Sequence, residues 1–107
     1  MSRPLNLQIV EQARSLIADE QYWCRGQLAE DARGLTVLPT SANAVRRCGL
    51  GAVIAAAFKL TQNYDAAYAI AQNALRPYCA LSTLVHVNDE RGHAAVIALF
   101  DEVISSS

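Results

Sequence analysis

An excess of charge of one sign is absent from this sequence. Its 107 residues include nine lysine or arginine residues and ten aspartate or glutamate residues, so the formal net charge is −1 at pH 7. Proteins bind nucleic-acid backbones through clusters of positive charge, and only Arg46 and Arg47 are adjacent here. We therefore expect no nucleic-acid partner.

Long apolar runs and cysteine pairs are also scarce. The longest uninterrupted apolar run, from Cys48 to Phe58, is well short of the roughly 18 to 20 residues that a membrane-spanning helix needs. The first residues lack the apolar stretch of a secretion signal. The three cysteines form no Cys-x-x-Cys pair, which is typical of reduced thiols inside a cell. We expect a cytoplasmic protein that does not enter a membrane.

The residues that are present favour a folded helical domain. Hydrophobic residues make up 52% and charged residues 18% of the chain, and a chain of this length usually forms one core. We predict one domain over residues 1–107, with fraying in the first few residues and in 105–107. The predicted fold class is mainly α, with about four helices around a central helix rich in alanine and glycine, and a possible small β-hairpin between helices 1 and 2.

Apolar residues at spacings of three and four predict the positions of the helices. Residues 77–87 fit either a short helix or an extended segment, and we favour a short helix followed by a loop. Before that segment we predict a helix over 6–19, a hairpin that pairs 23–29 with 35–38, and a helix over 42–60 that is capped by Thr40 or Ser41. We also predict a helix that is capped by Asn63 and ended by Pro77, and a last helix that is capped by Asp89.

The stretch Cys48-Gly49-Leu50-Gly51-Ala52 places a thiol and a Gly-x-Gly in the predicted central helix. Glycine motifs that bind phosphate follow a strand and contain a further Gly or a Gly-Lys-Ser/Thr, which are missing here. We interpret these glycines as positions of close helix packing, with Cys48 as a small buried hydrophobe. The alternative is a nucleophilic Cys48 with His86 or His93 as its base.

Polar residues are concentrated between positions 85 and 93. Asn88 and Asp89 in front of a helix indicate turn and capping chemistry. The alternative is a pocket rim formed by Asn88, Asp89 and His93, with Asn88 as a weak candidate for binding and the carboxylate and imidazole for acid-base chemistry. The pattern does not distinguish the two.

Three further residues are weak candidates for binding. Trp23, the single tryptophan, lies in the least regular part of the chain and is expected to cover the core. Arg46 and Arg47 are predicted on the solvated first turns of the second helix, where an anion could bind.

A metal or cofactor site is not indicated by the spacing of the possible ligands. The three cysteines and two histidines suffice by count, but the nearest pair, His86 and His93, is seven residues apart. Metal sites usually take two ligands from one short loop or from adjacent helical turns. We expect neither a metal nor a cofactor.

The order of these motifs resembles a family of small bacterial and phage proteins that is catalogued as a domain of unknown function. Its pattern is an amphipathic helix, Trp and Gly in an irregular segment, Pro-Thr, Cys-Ala-x-Gly-Ala, and Trp-Asn-Asp before a last helix. Gly49 and Val87 replace an alanine and a tryptophan of that pattern. The resemblance implies an architecture and no activity. The matching residues are Trp23, Gly26, Pro39-Thr40, Cys48-Gly49-Leu50-Gly51-Ala52 and Asn88-Asp89.

The co-occurrence of these motifs suggests that Trp23, Cys48 and Asn88-Asp89 meet in space, with Asn88 or Asp89 as a buried hydrogen-bonding anchor. We expect a small interaction or adaptor module without catalytic activity that binds another protein or a second copy. Two alternatives remain open, namely an enzyme that uses Cys48 and a helical pocket for a small apolar ligand.

Overall fold

The computed structural model describes residues 4–106, and five α-helices lie in that range. The prediction of a mainly α fold is confirmed. The fraying predicted for the first residues and for Ser107 lies outside the described residues. In chain order the elements are α1 (Leu5–Ile17), β1 (Ala29–Glu30), β2 (Arg46–Arg47), α2 (Gly49–Thr61), α3 (Tyr64–Leu75), α4 (Leu81–His86) and α5 (His93–Ser105), with a 3-10 turn over Glu20–Tyr22 and a π turn over Val87–Arg91.

Helix α2 is the centre of the core because its side chains are apolar on every face. All residues from Gly49 to Ala57 are buried, and α1 and α3 both pack along this helix. Helix α5 packs on α1 and adds the fully buried Phe100. Burial of a side chain of this size contributes roughly 2 to 3 kcal/mol. The predicted central helix is therefore present.

The predicted start of this helix is wrong, because α2 begins at Gly49 rather than at Ala42. Residues 42–43 form a turn, and those directly before the helix are extended: the Val45 amide donates to the Glu30 carbonyl at 2.9 Å, and the Cys48 amide donates to the Leu28 carbonyl at 3.0 Å. A strand partner far away in the sequence therefore supplies bonds that helical periodicity cannot indicate.

A small antiparallel pair does lie between α1 and α2, but its strands differ from those predicted. Strand β1 pairs with β2, with Ala29 opposite Arg47. Residues 35–38, here called the edge segment, lie on the other side of β1. An isolated antiparallel bridge joins Thr36 of this segment to Glu30 of β1. On the far side of β2, Trp23 forms a parallel bridge with Arg47. Four short extended segments thus lie side by side.

The later helices match the sequence pattern more closely. Asn63 caps α3, since its side-chain oxygen accepts a hydrogen bond from the Ala66 amide at 2.9 Å. Helix α3 ends at Leu75, before Pro77. Residues 77–87, which the pattern left open, contain the short helix α4. The loop expected after it is absent, because the chain continues directly into the π turn.

Asp89 does not cap the last helix, so that prediction is wrong. Helix α5 begins at His93, after Gly92, whose φ of 96° lies in the region that favours glycine. In the preceding π turn the Gly92 amide donates to the Val87 carbonyl at 3.2 Å. Within this wider turn Asn88 is completely buried.

Candidate functional site

The side chain of Asn88 is the centre of the candidate site. Its Oδ1 accepts hydrogen bonds from Trp23 Nε1 at 2.7 Å and from the Gly49 amide at 2.8 Å. Its Nδ2 donates to the Cys24 carbonyl at 3.1 Å and to Asp89 Oδ1 at 2.9 Å. A side-chain amide has two acceptor lone pairs and two donor hydrogens. Asn88 therefore makes every hydrogen bond that its amide allows.

Asp89 extends this network to the irregular segment before β1. Its Oδ1 also accepts a hydrogen bond from the Gly26 amide at 3.0 Å. The predicted meeting of Trp23, the start of α2 and Asn88-Asp89 is thus confirmed. Asn88 and Asp89 both act as anchors, and we call these contacts the Asn88 network.

Trp23 is half-buried and packs against the core. The guanidinium of Arg25 lies 5.2 Å from the centroid of its ring, a cation–π distance. The imidazole ring of His93 packs edge-on against the Trp23 ring, with 5.7 Å between the ring centroids. His93 Nε2 lies 2.6 Å from the Ile17 carbonyl and must donate, since a carbonyl only accepts. That nitrogen therefore serves to hold α1.

Cys48 caps α2, and its Sγ accepts a hydrogen bond from the Gly51 amide at 3.3 Å. The residue is 5% exposed, and burial raises the pKa of its thiol. Burial, together with the nearby Cys48, raises the pKa of Cys24 to about 12. A thiol with a raised pKa stays protonated near neutral pH and is a weak nucleophile.

The two glycines at the start of α2 serve close packing, as predicted. A Cβ on Gly51 would overlap the carbonyl oxygen of Leu28, and a Cβ on Gly49 would lie 3.0 Å from Val96 Cγ1. Their amide groups are bonded to Asn88 and Cys48. These amides are therefore not directed at a phosphate.

Arg46 and Arg47 lie on β2 and not on solvated helical turns, so their predicted placement is wrong. Arg46 forms an ion pair with Glu30 and donates to the Asp31 carbonyl at 2.8 Å. Arg47 Nε donates to the Pro39 carbonyl at 2.8 Å, and burial lowers the pKa of its guanidinium. Both side chains are half-buried and bind groups of the protein itself.

His86, like Arg46 and Arg47, lies outside the Asn88 network. It is exposed on α4. In the described range 4–106, no hydrogen bond joins the Cys48 thiol to either histidine.

Sequence reasoning missed two groups of this region. The backbone of Cys24 and Gly26 takes part in the Asn88 network, but any residue type can supply a carbonyl or an amide. Gln27 bonds to Glu30 and Thr36 and so links β1 to the edge segment. No motif marks Gln27, and only knowledge of the strand pairing could have identified its role.

Small cavities lie near the candidate residues. One of about 140 Å³ is next to the Asn88 network and includes Cys48 in its wall, and a space of this size holds a few water molecules. A larger cavity of about 310 Å³ lies elsewhere, between the end of α3 and α4. The smaller one is lined by Gly26, Gln27, Leu28, Cys48, Val85 and Asp89.

The described residues offer neither a metal-binding cluster nor a membrane-spanning helix. Residues 4–106 contain no group of three or more His, Cys, Asp or Glu side chains that could hold a metal ion. No helix in that range is long and apolar enough to cross a membrane.

Comparison with known proteins identifies one family. No curated protein and no solved structure matches the chain. Residues 1–106 match a family described as a family of unknown function, DUF6197. This match covers nearly the whole chain, including every element described above. The chain therefore belongs to this family of unknown function, DUF6197.

Proposed function

We propose that this protein is a non-catalytic interaction module that pairs with a second copy of itself through the edge segment, residues 35–38. The observation that carries the proposal is an open strand edge with exposed leucines. Leu35 and Leu38 are 54% and 58% exposed. By contrast, the polar groups of the Asn88 network are bonded within the protein.

The backbone of the edge segment supports strand pairing. The Asp31 amide donates to the Leu35 carbonyl, and the Val37 amide donates to the Ala29 carbonyl. These two bonds flank Thr36, so the amide and carbonyl of Thr36 point away from β1. Within residues 4–106 neither group has a hydrogen-bond partner. An extended backbone is the partner that matches such an edge.

A second copy fits this edge because the edge is complementary to itself. If Thr36 lies opposite Thr36 of an antiparallel copy, each amide donates to the other carbonyl around a two-fold axis. Leu35 then lies opposite Val37 of the other copy. Arg33, the charged residue nearest to the edge segment in sequence, then lies opposite Pro39, so like charges are not opposed. The net charge of −1 adds little repulsion between copies.

Such a contact is small and should form a weak, concentration-dependent dimer. We expect sedimentation velocity to show a dimer fraction that rises with concentration up to the millimolar range. Leu35→Lys should abolish it, because a charge on a strand edge opposes pairing. The matched control is Leu60→Lys at the end of α2, where the leucine is 56% exposed and far from the edge segment in sequence.

Two outcomes would overturn the proposal. One is a wild-type protein that stays monomeric at every concentration tested. The other is a dimer that Leu60→Lys disrupts and Leu35→Lys leaves intact. Circular dichroism of both variants checks that they are folded.

The proposed setting is the bacterial cytoplasm, without a nucleic-acid partner. The resemblance to bacterial and phage proteins and the free state of Cys24, Cys48 and Cys79 support this setting. The balanced charge argues against binding to phosphate backbones. Fractionation of cells that produce the protein tests the location.

The two alternative functions have less support. An enzyme that uses Cys48 needs a lowered thiol pKa and a nearby base, whereas burial raises this pKa. A pocket for an apolar ligand needs more space than the cavity of about 140 Å³ beside Cys48. The cavity of about 310 Å³ between the end of α3 and α4 is larger, but its lining includes the polar side chains of Gln72, Arg76 and Ser82. Rapid alkylation of Cys48 in the native protein would favour the enzyme over the interaction module.

A further inference from the structure

Cys24 and Cys48 lie on neighbouring extended segments. Trp23 and Arg47 form a parallel bridge, and the Cys24 amide donates to the Arg47 carbonyl at 3.1 Å. The Cys48 amide points away from Cys24 and donates to the Leu28 carbonyl at 3.0 Å. The Arg47 carbonyl and the Cys48 amide thus point to opposite sides, as expected for successive residues of an extended strand. The residues that follow a parallel bridge are again opposite each other. Cys24 is therefore the lateral neighbour of Cys48.

The two thiols also share one face of the small sheet. Side chains alternate along a strand, so Cys24 and Cys48 point to the face opposite to that of Trp23 and Arg47. Both belong to the hydrophobic core and are 6% and 5% exposed. Neighbouring strands lie about 4.8 Å apart, which is within the range of about 4.4 to 6.8 Å between the Cα atoms of a disulfide.

A second observation supports this proximity. Burial is the main cause of the raised pKa of Cys24, and a negative charge on Cys48 adds to it, as do Glu30 and Asp89, as expected for groups in one region of the fold. Cys79 lies apart, at the cavity between the end of α3 and α4. The chain thus contains one thiol pair and one separate thiol.

We propose that Cys24 and Cys48 are a redox pair that a hydroperoxide converts to an intrachain disulfide. The Cys48 thiolate attacks one peroxide oxygen, and the O–O bond breaks. Hydroxide departs as the leaving group, and Cys48 becomes a sulfenic acid. The Cys24 thiolate then attacks the Cys48 sulfur, the S–O bond breaks, and a second hydroxide leaves as the S–S bond forms. The protons of the two thiols convert both hydroxides to water. Two thiols and one hydrogen peroxide thus give one disulfide and two water molecules.

Access favours Cys48 as the first thiol to react. Cys48 lines the cavity of about 140 Å³, which is large enough for a peroxide molecule, since a water molecule occupies about 30 Å³. The raised pKa of both thiols keeps the thiolate fraction small. The rate should therefore rise about tenfold for each pH unit between pH 7 and pH 9.

The test uses Cys79→Ser, which keeps the pair and removes the third thiol. The native protein is treated with hydrogen peroxide, then denatured, alkylated with iodoacetamide and analysed by mass spectrometry. We expect a loss of about 2 Da, no alkylation, and one linked peptide pair that contains Cys24 and Cys48. Dithiothreitol should restore both thiols. The double variant Cys24→Ser, Cys79→Ser should form no intrachain link.

Two results would overturn the proposal. In the first, both thiols of folded Cys79→Ser remain reduced at pH 9. In the second, the wild-type protein forms a disulfide to Cys79 instead of the Cys24–Cys48 bond. Circular dichroism before oxidation checks that Cys79→Ser is folded, and the same oxidation of the wild-type protein shows which thiols pair when all three are present.

Discussion

At the scale of single residues, one buried amide holds three parts of the chain together. Asn88 bonds to Trp23 and Cys24 before β1, to Gly49 at the start of α2, and to its neighbour Asp89. Each buried polar group without a partner costs about 1 to 3 kcal/mol. Since Asn88 is fully buried, its loss leaves several such groups unpaired at once.

We expect Asn88→Ala to lower the free energy of unfolding by about 3 kcal/mol or more, because Trp23 Nε1, the Gly49 amide and the Cys24 carbonyl lose their partner.

Asp89→Ala should lower the free energy of unfolding by about 1 kcal/mol and the melting temperature by several degrees. It removes two bonds from a half-buried position, namely those from the Gly26 amide and from Asn88 Nδ2. Urea denaturation followed by circular dichroism measures both effects.

Asn73→Ala is the matched control for this prediction, since Asn73 is exposed on α3. Alanine is the better helix former, so this variant should be as stable as the wild-type protein or slightly more stable. Equal losses for Asn88→Ala and Asn73→Ala would show that the Asn88 network does not hold the fold.

At the scale of elements, contacts with β1 set the start of α2. The Leu28 carbonyl accepts the Cys48 amide and lies directly against Gly51. The helix therefore begins where strand pairing ends, with Cys48 as its cap. This explains why residues 45–47, which the sequence pattern places in the helix, are extended instead.

Gly51→Ala and Gly49→Ala test this contact as a pair. A Cβ on Gly51 meets the backbone of Leu28, so β1 must move, at a cost of about 2 to 3 kcal/mol. A Cβ on Gly49 meets side-chain atoms of Val96 and Leu84 at 3.0 and 3.2 Å, so side chains rather than backbone must move, and only by a few tenths of an ångström. Alanine has a higher helix propensity than glycine by up to about 1 kcal/mol, and in Gly49→Ala this gain offsets much of the cost of the close contacts. Thermal unfolding should show a large loss for Gly51→Ala only, and similar losses would contradict this account.

The helices could be predicted from the sequence more fully than the strands. The cap of α3 at Asn63 and its end before Pro77 depend on neighbouring residues, which a local pattern records. The strand pairing of Ala29 with Arg47 depends on residues far apart in the sequence. Likewise, Asp89 has the residue type of a helix cap, but its side chain bonds to Gly26 in another part of the fold.

The candidate site was predictable in part. The order of the motifs suggested that Trp23, Cys48 and Asn88-Asp89 meet, and they do. The pairing of Cys24 with Cys48 was not predicted, because it depends on an isolated parallel bridge and not on the spacing of the two residues along the chain.

At the scale of the whole molecule, buried thiols make stability depend on pH. The ordinary thiol pKa is 9.0, and folding raises that of Cys24 to about 12. Between these values the unfolded chain releases a proton that the folded chain keeps. The stabilisation is therefore complete below pH 9 and is lost as the pH rises towards 12.

We expect the free energy of unfolding to fall between pH 7 and pH 10 by about 1 kcal/mol more in the wild-type protein than in Cys24→Ala. Other groups, such as Tyr64, whose pKa is raised by burial, contribute equally to both proteins. Urea denaturation at both pH values measures the difference. Parallel pH dependences for the two proteins would mean that the Cys24 thiol titrates normally in the fold.

The position of Trp23 also provides a built-in optical probe. The chain contains one tryptophan, and its indole N–H is bonded to Asn88 while Arg25 and His93 lie against its ring. All intrinsic tryptophan emission therefore originates in the Asn88 network. A change in emission wavelength or intensity reports the opening of that network directly, in the unlabelled protein and in real time.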